Sequence, residues 1–118
     1  MHISFRTTKL QREFESERDL RRNRGKQQAE KIKIRMIQLE GVQNLKQLLN
    51  QPGHFHELKE DRDGWLACDL DGQNRLIFEC TDQPIPLDAQ RGLDWQLVTA
   101  VRILGVLDYH ERNKKQPI

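Results

Sequence analysis

The sequence predicts an α+β domain in which an N-terminal strand and a helical hairpin pack on one face of a small antiparallel or mixed β-sheet. Three observations lead there. The first forty residues set apolar side chains at helical spacing among charged ones. Residues 65–70 and 74–80 are two strand-like runs on either side of Asp71-Gly72. Residues 97–110 are apolar or β-branched almost to their end, which suits a strand with neighbours on both sides.

A chain of 118 residues has room for one core and predicts a single domain. Charged residues make up 32% of it and hydrophobic ones 36%, enough for a two-layer core under a densely charged surface. No apolar run approaches transmembrane length, and no early hydrophobic stretch resembles a secretory signal, so a cytoplasmic protein without membrane contact is expected. Cys68 and Cys80 have neither a Cys-x-x-Cys spacing nor a His cluster near them and read as reduced core thiols. The net charge of +2 hides a division. Residues 1–40 carry eleven Lys or Arg against six Asp or Glu, whereas residues 54–83 carry three against eight. A polyanion would meet the helices or the C-terminal Arg112, Lys114 and Lys115 first.

In chain order, Ile3-Ser4-Phe5 alternates as a short strand. Thr8 and Gln11 have the form of a capping box, and Leu10 and Phe14 follow on one face of a helix running to about Asn23. Gly25 supplies the break. From Lys26 a second, basic helix sets Ala29, Ile32, Met36 and Leu39 on one face and Lys31 and Arg35 on the other. Ile34 and Ile37 lie off that stripe; packing against both the first helix and the sheet would cover them, and the alternative is that they await a partner. Gly41 ends the helix, residues 44–49 make a short turn, and Asn50-Gln51-Pro52-Gly53 breaks the chain before the sheet.

Residues 54–59 read as an irregular strand, since Phe55 and Leu58 share a face only if a bulge falls near Glu57. Asp71-Gly72 predicts a two-residue type I′ turn, which would pair Cys68 with Arg75, Leu66 with Ile77, Trp65 with Phe78 and Ala67 with Leu76. The last two pairs would lie under the helices. Arg75 would emerge on the opposite, more open face among apolar neighbours and without an acidic partner. Residues 81–96, with Pro84 and Pro86, form a long connection to the last strand. At that strand's end, alternation puts Asp108 and His110 on one face, with Arg75 across the sheet, and sends Tyr109 toward the helices.

Three stretches carry a resemblance: Phe55-His56-Glu57-Leu58-Lys59 through Trp65, then Asp71-Gly72-Gln73-Asn74-Arg75-Leu76-Ile77-Phe78, and finally Asp108-Tyr109-His110. In this order they resemble the HigB-type killer toxins of the RelE/ParE superfamily, closely over the second half of the chain and in pattern over the helical half. The resemblance implies a RelE-like fold and the toxin of a type II toxin–antitoxin pair, a ribosome-dependent endoribonuclease that cleaves translated mRNA. It implies catalytic roles for His56, Lys59, Arg75, Asp108, Tyr109 and His110, and no metal or cofactor. Such chemistry needs a base for the ribose 2′-hydroxyl, an acid for the leaving 5′-oxygen and cations for the phosphorane; His and Asp suit the protons, Arg75 and Lys59 the charge. Tyr109 could stack on a base. Lys26, Lys31, Arg35, Arg112 and Lys114 are the candidates for gripping RNA. The implied partners are the ribosome, mRNA and a cognate antitoxin of helix-turn-helix type, with DNA met only through the antitoxin complex. The 81–96 loop and the extension after His110 depart from shorter family members. Two other readings stand beside this one: a non-catalytic ParE-like toxin acting on DNA gyrase, and a regulatory domain that only binds an antitoxin.

Overall fold

The computed structural model describes residues 1–58 and 64–108, and over them the chain is α+β: one strand, three helices, then four strands. The first strand, β1 (His2–Phe5), pairs in parallel with the last, β5 (Ala100–Asp108), with His2 opposite Ala100 and Phe5 opposite Ile103. The remaining pairs are antiparallel and join β2 (His56–Glu57), β3 (Trp65–Asp69) and β4 (Asn74–Cys80) into a mixed sheet of order β1-β5-β4-β3-β2.

The helical half differs from a two-helix hairpin. Thr7, and not the expected Thr8, is the first cap, its hydroxyl accepting the Leu10 amide at 3.1 Å, and α1 spans only Thr8–Phe14. Ser16 caps a new helix by accepting the Asp19 amide at 3.1 Å, so α2 (Glu17–Arg24) begins where one continuous helix was expected. Arg24 closes the joint, pairing with Glu13 at 2.9 Å and lying 5.7 Å over the Phe14 ring. Gly25, at φ +83°, makes the expected break before α3 (Lys26–Gly41).

Within α3, Ala29, Ile32 and Leu39 are buried as their spacing predicts. Ile34 and Ile37 are not covered, being 46% and 60% exposed. The reason is length: α2 has 8 residues against 16 in α3, and two helices joined at Gly25 can run side by side only over the first half of the longer one. Arg35, expected on the outer face, is buried. Its Nε donates to the Asp69 carbonyl at 2.7 Å and its Nη1 to Gln38 Oε1 at 3.0 Å, so the helix is bolted to the end of β3. Gly53 lies against this side chain so closely that an added Cβ would sit 2.8 Å from Arg35 Nε.

The hairpin register is one residue away from the expected one. Asp69 pairs with Arg75, Leu66 with Phe78 and Trp65 with Glu79, because Gln73 joins the turn as a third loop residue. The Asn74 amide closes on the Asp71 carbonyl at 2.8 Å, and Asp71 Oδ1 accepts from Asn74 Nδ2 at 3.2 Å and from Gln28 Nε2 at 3.3 Å. One residue of slip exchanges faces. Leu66, Cys68, Leu76 and Phe78 therefore lie in the main core under the helices, each with no accessible surface, while Trp65 and Ala67 are on the far face. Each fully buried Leu or Phe of this set contributes on the order of 2 kcal/mol. The two cysteines are free and buried, and burial pushes the Cys68 thiol up to about 12.

No bulge is needed near Glu57, because Phe55 packs into the main core and Leu58 into a second, smaller cluster on the far face with Trp65, Ala67, Ile77, Leu104 and Leu107. The bulge lies instead in β5. Phe78 pairs with Ile103 but Ile77 with Gly105, so Leu104 is the extra residue and Gly105 takes φ +146°. The strand itself begins at Ala100, after a 3₁₀ turn over Trp95–Leu97. Its start is held by Asp82, whose carboxylate accepts from the Thr99 hydroxyl at 2.7 Å and from the Thr99 and Ala100 amides at 2.8 and 3.2 Å.

Candidate functional site

The face of the sheet turned away from the helices brings polar groups together at the turn end of β3 and β4. His56 is opposite Ala67 in the β2–β3 ladder and Ala67 is opposite Ile77, which puts the His56 side chain on the far face beside the second apolar cluster. Asp69 and Arg75 face each other one pleat further along. Arg75 Nε is 2.9 Å from Asp69 Oδ1, and its Nη1 donates to the carbonyls of Asn74 at 2.9 Å and Gly72 at 3.2 Å. The expectation that Arg75 has no acidic neighbour fails for the same reason as the register: the three-residue loop puts Asp69, not Cys68, across from it. Arg75 does lie on the expected face, with its guanidinium held by hydrogen bonds to the Gly72 and Asn74 carbonyls and by the ion pair with Asp69.

His54 completes the group and was not foreseen. It has φ +52°, uncommon for a residue with a side chain, and the Asp69 amide donates to the neighbouring Gly53 carbonyl at 2.7 Å. The His54 ring stacks on that of His56 with centroids 4.3 Å apart and planes at 20°, and its Nδ1 is 3.7 Å from Asp69 Oδ1. Asp69 is thus shared by a cation and an imidazole, and two imidazoles lie face to face at the edge of the sheet. Arg35 supports the arrangement from behind by holding the Asp69 carbonyl.

The structure does not bring Asp108 onto this face. After the bulge, Val106 pairs with Leu76, Leu107 with Arg75 and Asp108 with Asn74. Leu76 and Val106 belong to the main core and Leu107 to the far-face cluster, so Asp108 has the parity of the helix side. The extra residue at Leu104 inverts the alternation that unbroken pleating would give. Lys59, Tyr109, His110, Arg112 and Lys114 lie outside the described residues.

Of the other candidates for gripping RNA, Lys26 and Lys31 are exposed on α3, whereas Arg35 is consumed by the core. The exposed basic surface among the described residues extends over α1 and α2 through Lys9, Arg12, Arg18, Arg21 and Arg22. Arg18 and Arg22 spend part of that charge on Asp19, at 3.9 and 2.9 Å.

Chemically, the far-face group offers an imidazole able to move a proton, a second imidazole and carboxylate that fix its surroundings, and an oriented guanidinium able to meet an anion. Among the described residues no helix is long and apolar enough to cross a membrane. Comparison with protein-family models, with curated proteins and with solved structures gives no match.

Proposed function

We propose that this chain is the toxin of a type II toxin–antitoxin pair, a metal-independent endoribonuclease of RelE-like fold that cuts mRNA while it is being translated in the cytoplasm. Two independent lines support the reading. One is the resemblance of the His56, Arg75 and Asp108-Tyr109-His110 stretches to the HigB-type branch of the RelE/ParE superfamily. The other, which carries the proposal, is that His56 and Arg75, far apart in sequence, share one sheet face with Asp69 and His54 beside them.

In the proposed reaction His56 takes the proton of a ribose 2′-hydroxyl, whose oxygen attacks the adjacent phosphorus. The bond from phosphorus to the 5′-oxygen breaks, and that oxygen receives a proton from His110, leaving a 2′,3′-cyclic phosphate and a 5′-hydroxyl. Arg75 and Lys59 neutralise the charge that gathers on the phosphorane oxygens, and Tyr109 stacks on a base. Asp108, whose parity is that of the helix side, is assigned no contact with the phosphate. The exposed cations of α1, α2 and α3 provide the sequence-independent grip on ribosomal RNA. Placement on the message comes from the ribosome, because the described residues of the far face offer few groups that could read base edges. A cognate antitoxin of helix-turn-helix type neutralises the chain and mediates any contact with DNA.

Expression without an antitoxin tests this directly. The expected outcome is growth arrest with new 5′ ends inside translated regions and none in untranslated RNA. Intact transcripts with broken chromosomal DNA would show a gyrase poison instead, and unimpaired growth with folded protein would show a regulatory domain.

A further inference from the structure

We propose that His54 is a positioning residue for His56, and that its backbone carbonyl fixes Nε2 of His56 as the atom that accepts the proton. This deepens the nuclease reading and rests on it for its catalytic meaning. The contact itself is independent of that reading: His56 Nδ1 is 2.8 Å from the His54 carbonyl oxygen. A carbonyl oxygen can only accept, so Nδ1 carries the hydrogen. In neutral imidazole the other nitrogen then holds the lone pair, and Nε2 points away from the bond that anchors the ring.

The carbonyl reaches the ring through the backbone of Phe55, whose side chain is anchored in the main core. His54 itself takes φ +52°, which turns the chain before it; a residue with a side chain resists that conformation, and something must hold it. Two contacts are available: the stack of the His54 ring on His56 at 4.3 Å, and the approach of its Nδ1 to Asp69 at 3.7 Å. The Asp69 amide adds a third by holding the Gly53 carbonyl. His54 thus links the proton-accepting ring to the carboxylate that faces Arg75, so that base and cation are placed by one connected set of contacts.

The test is the ring-nitrogen spectrum of the full chain, read by long-range proton–nitrogen correlation with His56 assigned through His56→Gln. The expected result is a protonated Nδ1 and a pyridine-like Nε2 on neutral His56. A protonated Nε2 would overturn the inference whether or not RNA is cut. His54→Gly keeps the carbonyl and accepts φ +52° readily but removes the stacked ring, so the Nδ1–H form persists while kcat falls about 10²-fold with KM unchanged, the lower range for misplacing a general base. An Nε2–H spectrum or an unchanged kcat in that variant would overturn the positioning role; if it does not fold, the wild-type tautomer decides alone. An Nδ1–H spectrum in a chain that cuts no RNA would leave this inference standing and remove the nuclease reading.

Discussion

Replacing Arg75 with alanine separates a catalytic cation from a structural brace, because the two roles predict losses of different size. The substitution removes an ion pair with Asp69 whose side chains are 20% and 38% exposed, and two hydrogen bonds to the Gly72 and Asn74 carbonyls in the hairpin turn. Asp69 Oδ1 has almost no accessible surface although its side chain as a whole is 38% exposed, and the pair contributes about 1 kcal/mol. The two bonds add about 1 kcal/mol between them after exchange with water. The expected loss from these contacts is about 1–2 kcal/mol, or about 4–8 °C in Tm for a domain of this size. A domain with an ordinary stability margin stays almost wholly folded after such a loss. If Arg75 meets the phosphorane, single-turnover cleavage on programmed ribosomes falls about 10²–10³-fold, the effect of deleting one preorganised donor. That loss cannot come from an unfolded fraction below about one per cent. Cleavage that falls only in step with the folded fraction, or a Tm loss well beyond 10 °C, would refute the assignment.

Four further outcomes are expected. Arg35→Met costs about 2–4 kcal/mol by chemical denaturation, since a buried guanidinium bonded to the Asp69 carbonyl is lost, while Lys31→Ala stays within about 0.5 kcal/mol; equal, small effects would return Arg35 to the surface. Gly105→Ala costs about 1–3 kcal/mol because φ +146° suits glycine, and a neutral result would remove the bulge. Burial raises the Cys68 thiol from 9.0 to about 12 and the Cys80 thiol from 9.0 to about 11, so both stay unreactive toward alkylating reagents until the chain unfolds. The linkage has one sign: the unfolded chain loses these protons first, so denaturation experiments should show stability holding up to pH 9 and falling from there toward 12. Asp82 behaves oppositely. Burial works against its ionisation, but bonds from Thr99 and Ala100 outweigh it and hold the carboxyl below 3.8, so its contribution disappears as the pH falls past that value.

Element types were legible in the sequence, whereas two parities were not, and the parities decide which side chains meet. Asp71-Gly72 marks a hairpin, but the dipeptide does not say whether Gln73 belongs to the turn. Leu66, Cys68, Leu76, Phe78 and Cys80 all fall on even positions and could have settled it, since only the longer loop puts them on one face; the apolar odd positions Trp65, Ala67 and Ile77 masked that signal. Gly105 inside an apolar strand is a bulge signal, and it sends Asp108 to the face opposite the one that plain alternation gives. Ser16 caps α2 by the chemistry that was expected at Thr8 and is found at Thr7, but the charged run around it reads as one helix. Arg35 could not be placed from its own helix: its partner is a backbone carbonyl 34 residues away, which leaves no trace in periodicity. His54 and Asp69 needed the corrected register before either had a reason to matter.

The central claim is that the group around His56 and Arg75 cuts RNA that a ribosome presents. The measurement that tests it most directly is cleavage by the purified chain of one mRNA offered twice, bound to ribosomes with an empty A site and free in solution. The account predicts cutting within the A-site codon of the bound message, 2′,3′-cyclic phosphate ends, no cutting of the free message, and loss of cutting in Arg75→Ala. Equal cutting of both messages would contradict dependence on the ribosome, and an uncut bound message with the chain demonstrably on the ribosome would contradict the chemistry itself.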